Sequence, residues 1–270
     1  MALKLPASQT RGVKTIHRVI DLLEIFKQFP SGLTLSELST YLEMPKSTVF
    51  RMLSVLIERQ FIRESTPPGK YLLGYEVLRL SLAYQKGLNL YREAHPRLEA
   101  LNLKLDETVI LGVLDQTQHQ IIYLDKLDTS KAIMPGSHIG ETAPIHCTAL
   151  GKALLSRFER EELSCLLAGY EFNKFTENTI DNLQEFCQEM EITKNRGYAI
   201  DLQEYKLHVV CIAAPIIDHS GKPLAAISVS APANRLEELR IEIVAQSVVE
   251  TANEISKLLA YVPVQKLDAK

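Results

Sequence analysis

The chain has 270 residues, enough for two domains, and its 46% hydrophobic and 23% charged residues match an ordinary globular protein. No run of about 18 apolar residues exists to cross a membrane, and the opening Met-Ala-Leu-Lys-Leu-Pro-Ala-Ser lacks the apolar core of a secretion signal, so a cytoplasmic protein is expected. The net charge of −3 is uneven: residues 1–75 carry ten Lys and Arg against six Asp and Glu (+4), the remainder twenty against twenty-seven (−7), as expected when one module meets phosphates and the other does not.

Ile16, Val19, Ile20, Leu23 and Phe26 recur at spacings of three and four, which predicts a first helix over about Val13–Lys27 with one apolar stripe. Phe29-Pro30-Ser31-Gly32 ends it. Thr34-Leu35-Ser36-Glu37 has the pattern of a capping box opening a second, short helix through Leu38, Tyr41 and Leu42. After Glu43-Met44, Pro45 suits the first position of a third helix. That helix has a core stripe of Val49, Met52, Leu53, Leu56 and Ile57, and its other face presents Lys46, Ser47, Phe50, Arg51 and Ser54. Two short helices, a tight turn and a third helix with a basic, hydroxyl-bearing face describe a helix-turn-helix, whose third helix enters the major groove of double-stranded DNA. The next runs, Phe61–Glu64 and Lys70–Leu73, flank Ser65-Thr66-Pro67-Pro68-Gly69 and predict a β-hairpin, a wing from which Arg63 and Lys70 reach the DNA backbone. Phe50 on the third helix reads equally well as a contact to a thymine methyl or sugar and as packing against this wing.

Gly74–Tyr84 is apolar at Val77, Leu78, Leu80, Leu82 and Ala83 and reads as a linker helix covered by another surface, its symmetry mate, with breaks at Gly87 and Asn89. A helix follows over Tyr91–Leu105, then strands at Thr108–Leu114 and Gln120–Leu127 around a polar turn. Pro135, Gly136 and Gly140 mark a loop; Thr148–Phe158, Arg160–Leu167 and Leu183–Arg196 read as helices, the last ended by Gly197, and Tyr198-Ala199-Ile200 as a short strand with Asp201 after it. Val209–Ile217 and Lys222–Ser230 flank Asp218-His219-Ser220-Gly221, a hairpin signal. A final helix aligns Ile241, Val244, Val248, Ala252, Ile255 and Leu259. The expected class is α+β. Side chains alternate along a strand, so Ala225, Ile227 and Val229 form a greasy face, while Ala226, Ser228 and Ser230 form a small hydroxylic one suited to a ligand cavity. Val209 and Cys211 likewise share a face.

Leu33-Thr-Leu-Ser-Glu-Leu-Ser39, Pro45-Lys-Ser-Thr-Val49, Arg51-Met-Leu53, Tyr71-Leu-Leu-Gly74, Ile139-Gly140, Pro144–Leu155, Cys211-Ile-Ala-Ala-Pro215 and Ile227–Pro232, taken in order, resemble the isocitrate lyase regulator (IclR) family. The resemblance covers roughly residues 13–260. It implies a winged helix-turn-helix domain over 13–75, a linker helix over 76–89 and a GAF-like effector domain over 90–260, a curved antiparallel sheet with packed helices. It implies a transcription regulator, a repressor of a catabolic operon, that works as a homodimer or homotetramer and needs no cofactor. On the DNA side it points to Lys46, Ser47, Thr48, Phe50, Arg51, Ser54, Arg63 and Lys70. On the effector side it points to Ala149, Leu150, Asp201, Val209, Cys211, Ser228 and Ser230, binding a small molecule such as an organic or sugar acid. The amides near Thr148–Leu150, at a helix start, are candidates for a ligand carboxylate. The sequence departs from the family at Glu141-Thr142, where a basic pair is usual, and at Leu207-His208-Val209-Val210, where His208 stands in place of a glycine.

Two other readings stay open. One is an enzyme or metal site built from His146, Cys147, Asp201, Glu204 and Cys211; no Gly-x-Ser-x-Gly, His-Glu-x-x-His or phosphate-binding glycine loop supports it, and neither a catalytic nor a metal site is expected. The four cysteines, Cys147, Cys165, Cys187 and Cys211, lack any Cys-x-x-Cys pair and read as reduced, mostly buried thiols. The other reading is a ligand- or metal-sensing interaction module without specific DNA binding.

Overall fold

The computed structural model describes residues 14–87, 89–131 and 137–260. Val13, the expected start of the first helix, and Pro135 and Gly136 of the expected loop lie outside the described residues. The chain divides into two units, Met1–Gly87 and Leu88–Lys270.

The first unit runs α1 (Lys14–Ile25), α2 (Leu35–Tyr41), α3 (Lys46–Glu58), β1 (Ile62–Glu64), β2 (Tyr71–Leu73) and α4 (Tyr75–Gly87). The capping box at α2 forms: the Glu37 amide donates to Thr34 Oγ1 at 3.3 Å, and the Thr34 amide to Glu37 Oε2 at 2.7 Å. Pro45 sits one residue before α3 rather than at its first position, and its carbonyl accepts the amides of Thr48 and Val49. Leu22, Ile25, Phe26, Leu38, Val49, Leu53 and Ile62 form the core. The stripe expected on α1 is therefore corrected. Burial concentrates in its last turns, and Ile16 and Ile20 are exposed because the helix is longer than the core it covers. The wing pairs Ile62 with Leu73 and Glu64 with Tyr71, and Leu33 adds a bridge to Tyr71. Gly32 makes that bridge possible: its φ is +83°, and a Cβ there would lie 2.6 Å from the Tyr71 carbonyl oxygen. On α4, Tyr75, Leu78, Leu80, Leu82 and Tyr84 are exposed among the described residues, where the sequence led one to expect a covered face.

The second unit runs α5 (Asn89–Leu105), β3 (Thr108–Asp115), β4 (Gln120–Leu127), β5 (Thr142–Pro144), α6 (Ala149–Leu155), α7 (Arg160–Leu166), α8 (Leu183–Arg196), β6 (Ala199–Leu202), β7 (Val209–Ile217), β8 (Pro223–Pro232), α9 (Ala233–Leu239) and α10 (Ile241–Ala260). Six antiparallel strands lie in the order β5-β4-β3-β8-β7-β6, so the fold is α+β. Both sheet faces are covered. Leu98, Leu101, Ile212, Ile227, Val244, Val248 and Ile255 pack on the side of α5 and α10. Ile110, Leu150, Leu154, Phe186, Met190, Ala213 and Ala226 pack on the side of α6 and α8. Asn182 caps α8 and Gly197 closes it at φ +83°. Asp201 lies within β6, paired with Cys211, rather than after the strand; the ladder with β7 extends the strand past Ile200. β5 and α9 were not foreseen: β5 is three residues that become a strand only by pairing with β4.

Candidate functional site

The α3 face is open. Lys46, Ser47, Phe50, Arg51 and Ser54 are exposed, and Thr48 is half-buried. Phe50 keeps 51% of its surface exposed. The Ser54 hydroxyl donates to the Phe50 carbonyl at 2.9 Å, within its own helix. Arg63 on β1 and Lys70 at the wing turn are both exposed. Arg51 and Thr48 also line a groove of about 400 Å³ floored by Val19, Met52 and Leu56, with Thr15 and Arg18 of α1 on the other side. Sequence reasoning did not single out Thr15 and Arg18, which line this groove beside Thr48 and Arg51.

On the second unit a cavity of about 400 Å³ opens on the sheet. Its floor follows from strand register. Thr108 pairs with Ser230, Ser230 with Cys211, and Cys211 with Asp201. Directly paired residues share a sheet face, so four polar side chains form a row across β3, β8, β7 and β6. Adjacent strands lie about 4.8 Å apart, which makes the row about 14 Å long. All four line the cavity. Cys211 Sγ and Ser230 Oγ are 3.0 Å apart, and the buried Thr108 hydroxyl has no partner among the described residues. An unpaired buried hydroxyl costs about 1–3 kcal/mol, which a ligand acceptor would recover.

Asp201 is 3% exposed. Its Oδ1 accepts the Glu204 amide at 2.7 Å. Burial pushes its carboxyl up to about 7; the Glu204 amide and the Lys152 cation pull it down, and the Glu204 charge pushes the same way as burial. In the protonated form it joins the two hydroxyls and the thiol as a donor. Beneath it, Lys152 of α6 is 1% exposed. Its Nζ donates to the Ile200 carbonyl at 2.8 Å and to Glu204 Oε1 at 2.5 Å, with Glu189 at 3.6 Å. Burial also raises the Glu204 carboxyl, against the pull of Lys152. The wall above is the β6–β7 loop, which carries Tyr205, Lys206, Leu207 and His208.

The cavity thus brings together Asp201, Val209, Cys211 and Ser230 of the expected effector residues. Ser228 lies one register step away, opposite Ile110 and Ala213, and is buried. Ala149 and Leu150 sit in the core of the wholly buried α6. The amide of Gly151 is taken by the Thr148 hydroxyl and that of Lys152 by the Thr148 carbonyl. Thr108, Tyr123, Lys126 and Lys206 line the cavity unforeseen. The alternation that placed Ser230 would have placed Thr108 had the β3–β8 pairing been known. Of the positions that depart from the family pattern, Glu141, Thr142, Leu207, His208 and Val209 line this same cavity, while Val210 packs in the core on the other sheet face.

Burial pushes the Cys147 and Cys211 thiols well above the usual range, so both stay protonated at neutral pH. Of the thiols expected to be mostly buried, Cys165 is exposed. His146, lowered by burial, is bonded at both ring nitrogens: Nε2 donates to the Asn173 carbonyl at 3.0 Å and Nδ1 accepts from Tyr170 at 2.7 Å. It has no nitrogen left to activate a neighbour. Among the described residues no three His, Cys, Asp or Glu side chains are grouped to hold a metal ion, and no helix is long and apolar enough to cross a membrane.

Known proteins share both units. The model of the bacterial transcriptional regulator IclR C-terminal domain matches residues 82–257, and that of the IclR helix-turn-helix domain matches residues 15–65. The acetate operon repressor of Salmonella typhimurium is 30% identical over 255 residues, covering 94% of this chain and 92% of that protein. The crystal structure of the Thermotoga maritima IclR superposes with a TM-score of 0.79 at 29% identity, over 92% of this chain and 99% of that one. An IclR homolog from Microbacterium hydrocarbonoxydans, crystallised in complex with 4-hydroxybenzoate, shares the fold at TM-score 0.81 and 22% identity, over 91% of this chain and 98% of that one. With both domain models matched in order, this chain belongs to the IclR family of bacterial transcriptional regulators, built of a DNA-binding helix-turn-helix domain and an effector-binding C-terminal domain.

Proposed function

We propose that this protein represses a catabolic operon and that a small organic acid in the sheet cavity controls its grip on DNA. The observation that carries the reading is the polar row Thr108–Ser230–Cys211–Asp201: one proton is used in the Cys211–Ser230 bond, which leaves the Thr108 hydroxyl, one proton of that pair and the protonated Asp201 carboxyl to donate to an acceptor-rich ligand. The acetate operon repressor relative and the 4-hydroxybenzoate complex of the fold relative support the same class of role and ligand. On DNA, Lys46, Ser47, Thr48, Phe50, Arg51 and Ser54 of α3 meet the major groove, while Arg63 and Lys70 meet phosphates. The domains are 13–75, the linker helix 76–89 and 90–260, and the protein acts in the cytoplasm without catalysis of its own. The exposed apolar side chains of α4 support assembly as a homodimer or homotetramer. The effector then changes the spacing of paired DNA-binding domains, a coupling of about 5–150-fold in affinity.

The test selects a duplex from a random library with the full chain, then measures affinity against salt and in Arg51→Ala. Affinity falling steeply with salt, and a loss of about 1–3 kcal/mol in the variant, support the reading. Failure to enrich any sequence, or an affinity that ignores Arg51, overturns it.

A further inference from the structure

The mouth of the effector cavity carries a second recognition point that the floor does not need. The β6–β7 loop is bounded by Gln203 and His208, both in the left-handed region at φ +60° and +63°. For residues with a Cβ this conformation costs on the order of 1–2 kcal/mol, and glycine adopts it freely. The surroundings nonetheless over-determine it. The His208 amide donates to Gln203 Oε1 at 2.8 Å, and its carbonyl accepts the Ala233 amide at 3.0 Å. At the other end the Thr176 and Thr179 hydroxyls donate to the Glu204 carbonyl, and Lys152 holds the Glu204 carboxylate. The loop so held is preorganised, and it places an exposed imidazole in the cavity lining.

Lys206 stands beside it. Its ammonium lies 5.5 Å from the Tyr205 ring centroid, and among the described residues it makes no ion pair. Of the other charges of the lining, Lys126 pairs with Asp128 at 2.6 Å, while Glu141, whose Oε2 accepts the His138 amide at 2.9 Å, makes no ion pair among the described residues. The cavity therefore has a polar row at its floor, one cation without an ion pair beside an imidazole in the β6–β7 loop, and the Glu141 carboxylate elsewhere in its lining, so the Lys206 side is where a second anionic group would be held.

We infer that the effector is a dicarboxylate, one carboxylate on the Thr108–Asp201 row and the other held by Lys206 and His208 at the mouth. This rests on the reading of the cavity as the effector site. A volume of about 400 Å³ suits such a molecule.

The test is calorimetric titration of the full chain with two pairs of acids matched in skeleton: 2-oxoglutarate against 2-oxopentanoate, and isophthalate against benzoate. At least one diacid should bind tenfold or more tightly than its monoacid partner. In Lys206→Gln and in His208→Gly that preference should fall below about threefold, the loss falling on the diacid more than on the monoacid. His208→Gly relieves the left-handed strain, so its ligand-free melting temperature should equal or exceed that of the parent, which separates lost recognition from lost fold. Equal binding of both acids, a preference that survives both variants, or no binding by any acid overturns the proposal. DNA affinity measured in the same samples keeps the two readings apart. A monoacid that releases DNA as well as any diacid sinks the dicarboxylate and spares the regulated repressor. A diacid that binds as expected without changing DNA affinity does the reverse.

Discussion

Replacing Asp201 by Asn should make the effector domain more stable, by an amount that grows with pH. Burial raises this carboxyl from its ordinary 3.8 to about 7. Between those values the folded chain holds a proton that the unfolded chain has released, so stability falls as pH rises from about 4 to about 7. At roughly 1.4 kcal/mol per pH unit, the full penalty above pH 7 is about 4 kcal/mol, of which about 3 kcal/mol develops between about pH 5 and pH 8. Asn keeps an oxygen for the Glu204 amide and has no proton to lose. Lys152 and Glu204 are present in both chains, so their own titration largely cancels in the difference. The chain has no Trp but ten Tyr, so urea unfolding followed by tyrosine fluorescence and circular dichroism suits the comparison. The advantage of the Asn variant should widen by about 3 kcal/mol from pH 5 to pH 8, roughly 6–12 °C in melting temperature. An advantage equal at both pH values, or one that shrinks, would refute the raised carboxyl.

Two further outcomes rest on local geometry. Gly151→Ala puts a Cβ 2.1 Å from the Ile145 carbonyl oxygen and 2.5 Å from its Cα, both backbone atoms; the effector domain should lose at least about 3 kcal/mol, read as an earlier thermal transition while α3 still binds DNA. Thr34→Ala removes the hydroxyl that caps α2 and should cost about 1 kcal/mol in the helix-turn-helix unit, measured by urea unfolding of the full chain.

Periodicity reached furthest where one physical rule acted alone. The capping box at Thr34, the core stripe of α3, the span of α8 up to Gly197 and the hairpin at Asp218–Gly221 all follow from spacing and turn chemistry. It went astray where partners distant in sequence decide. Ile16 and Ile20 have the period of a buried face, but the core ends below them. β5 exists only through β4, and the strand character of Asp201 only through β7. The cavity shows the same division. Alternation put Ser230, Cys211 and Val209 on candidate faces, while Thr108 needed the β3–β8 register and Lys206 the path of a loop. Ala149 and Leu150 came from resemblance, and they are buried in α6.

The central β3–β8 ladder joins Ile110 to Ser228, 118 residues apart in sequence. Closing so long a loop is slow, and such pairings are among the last to form. On the ribosome the first unit, whose strands are joined through a short turn, has all its partners at hand while the second still waits for its seam. The newborn protein therefore has a folded helix-turn-helix before it has an effector cavity. A chain cut short before β8 keeps the means to touch DNA but has lost the strand that supplies Ser228 and Ser230 and joins the two halves of the sheet.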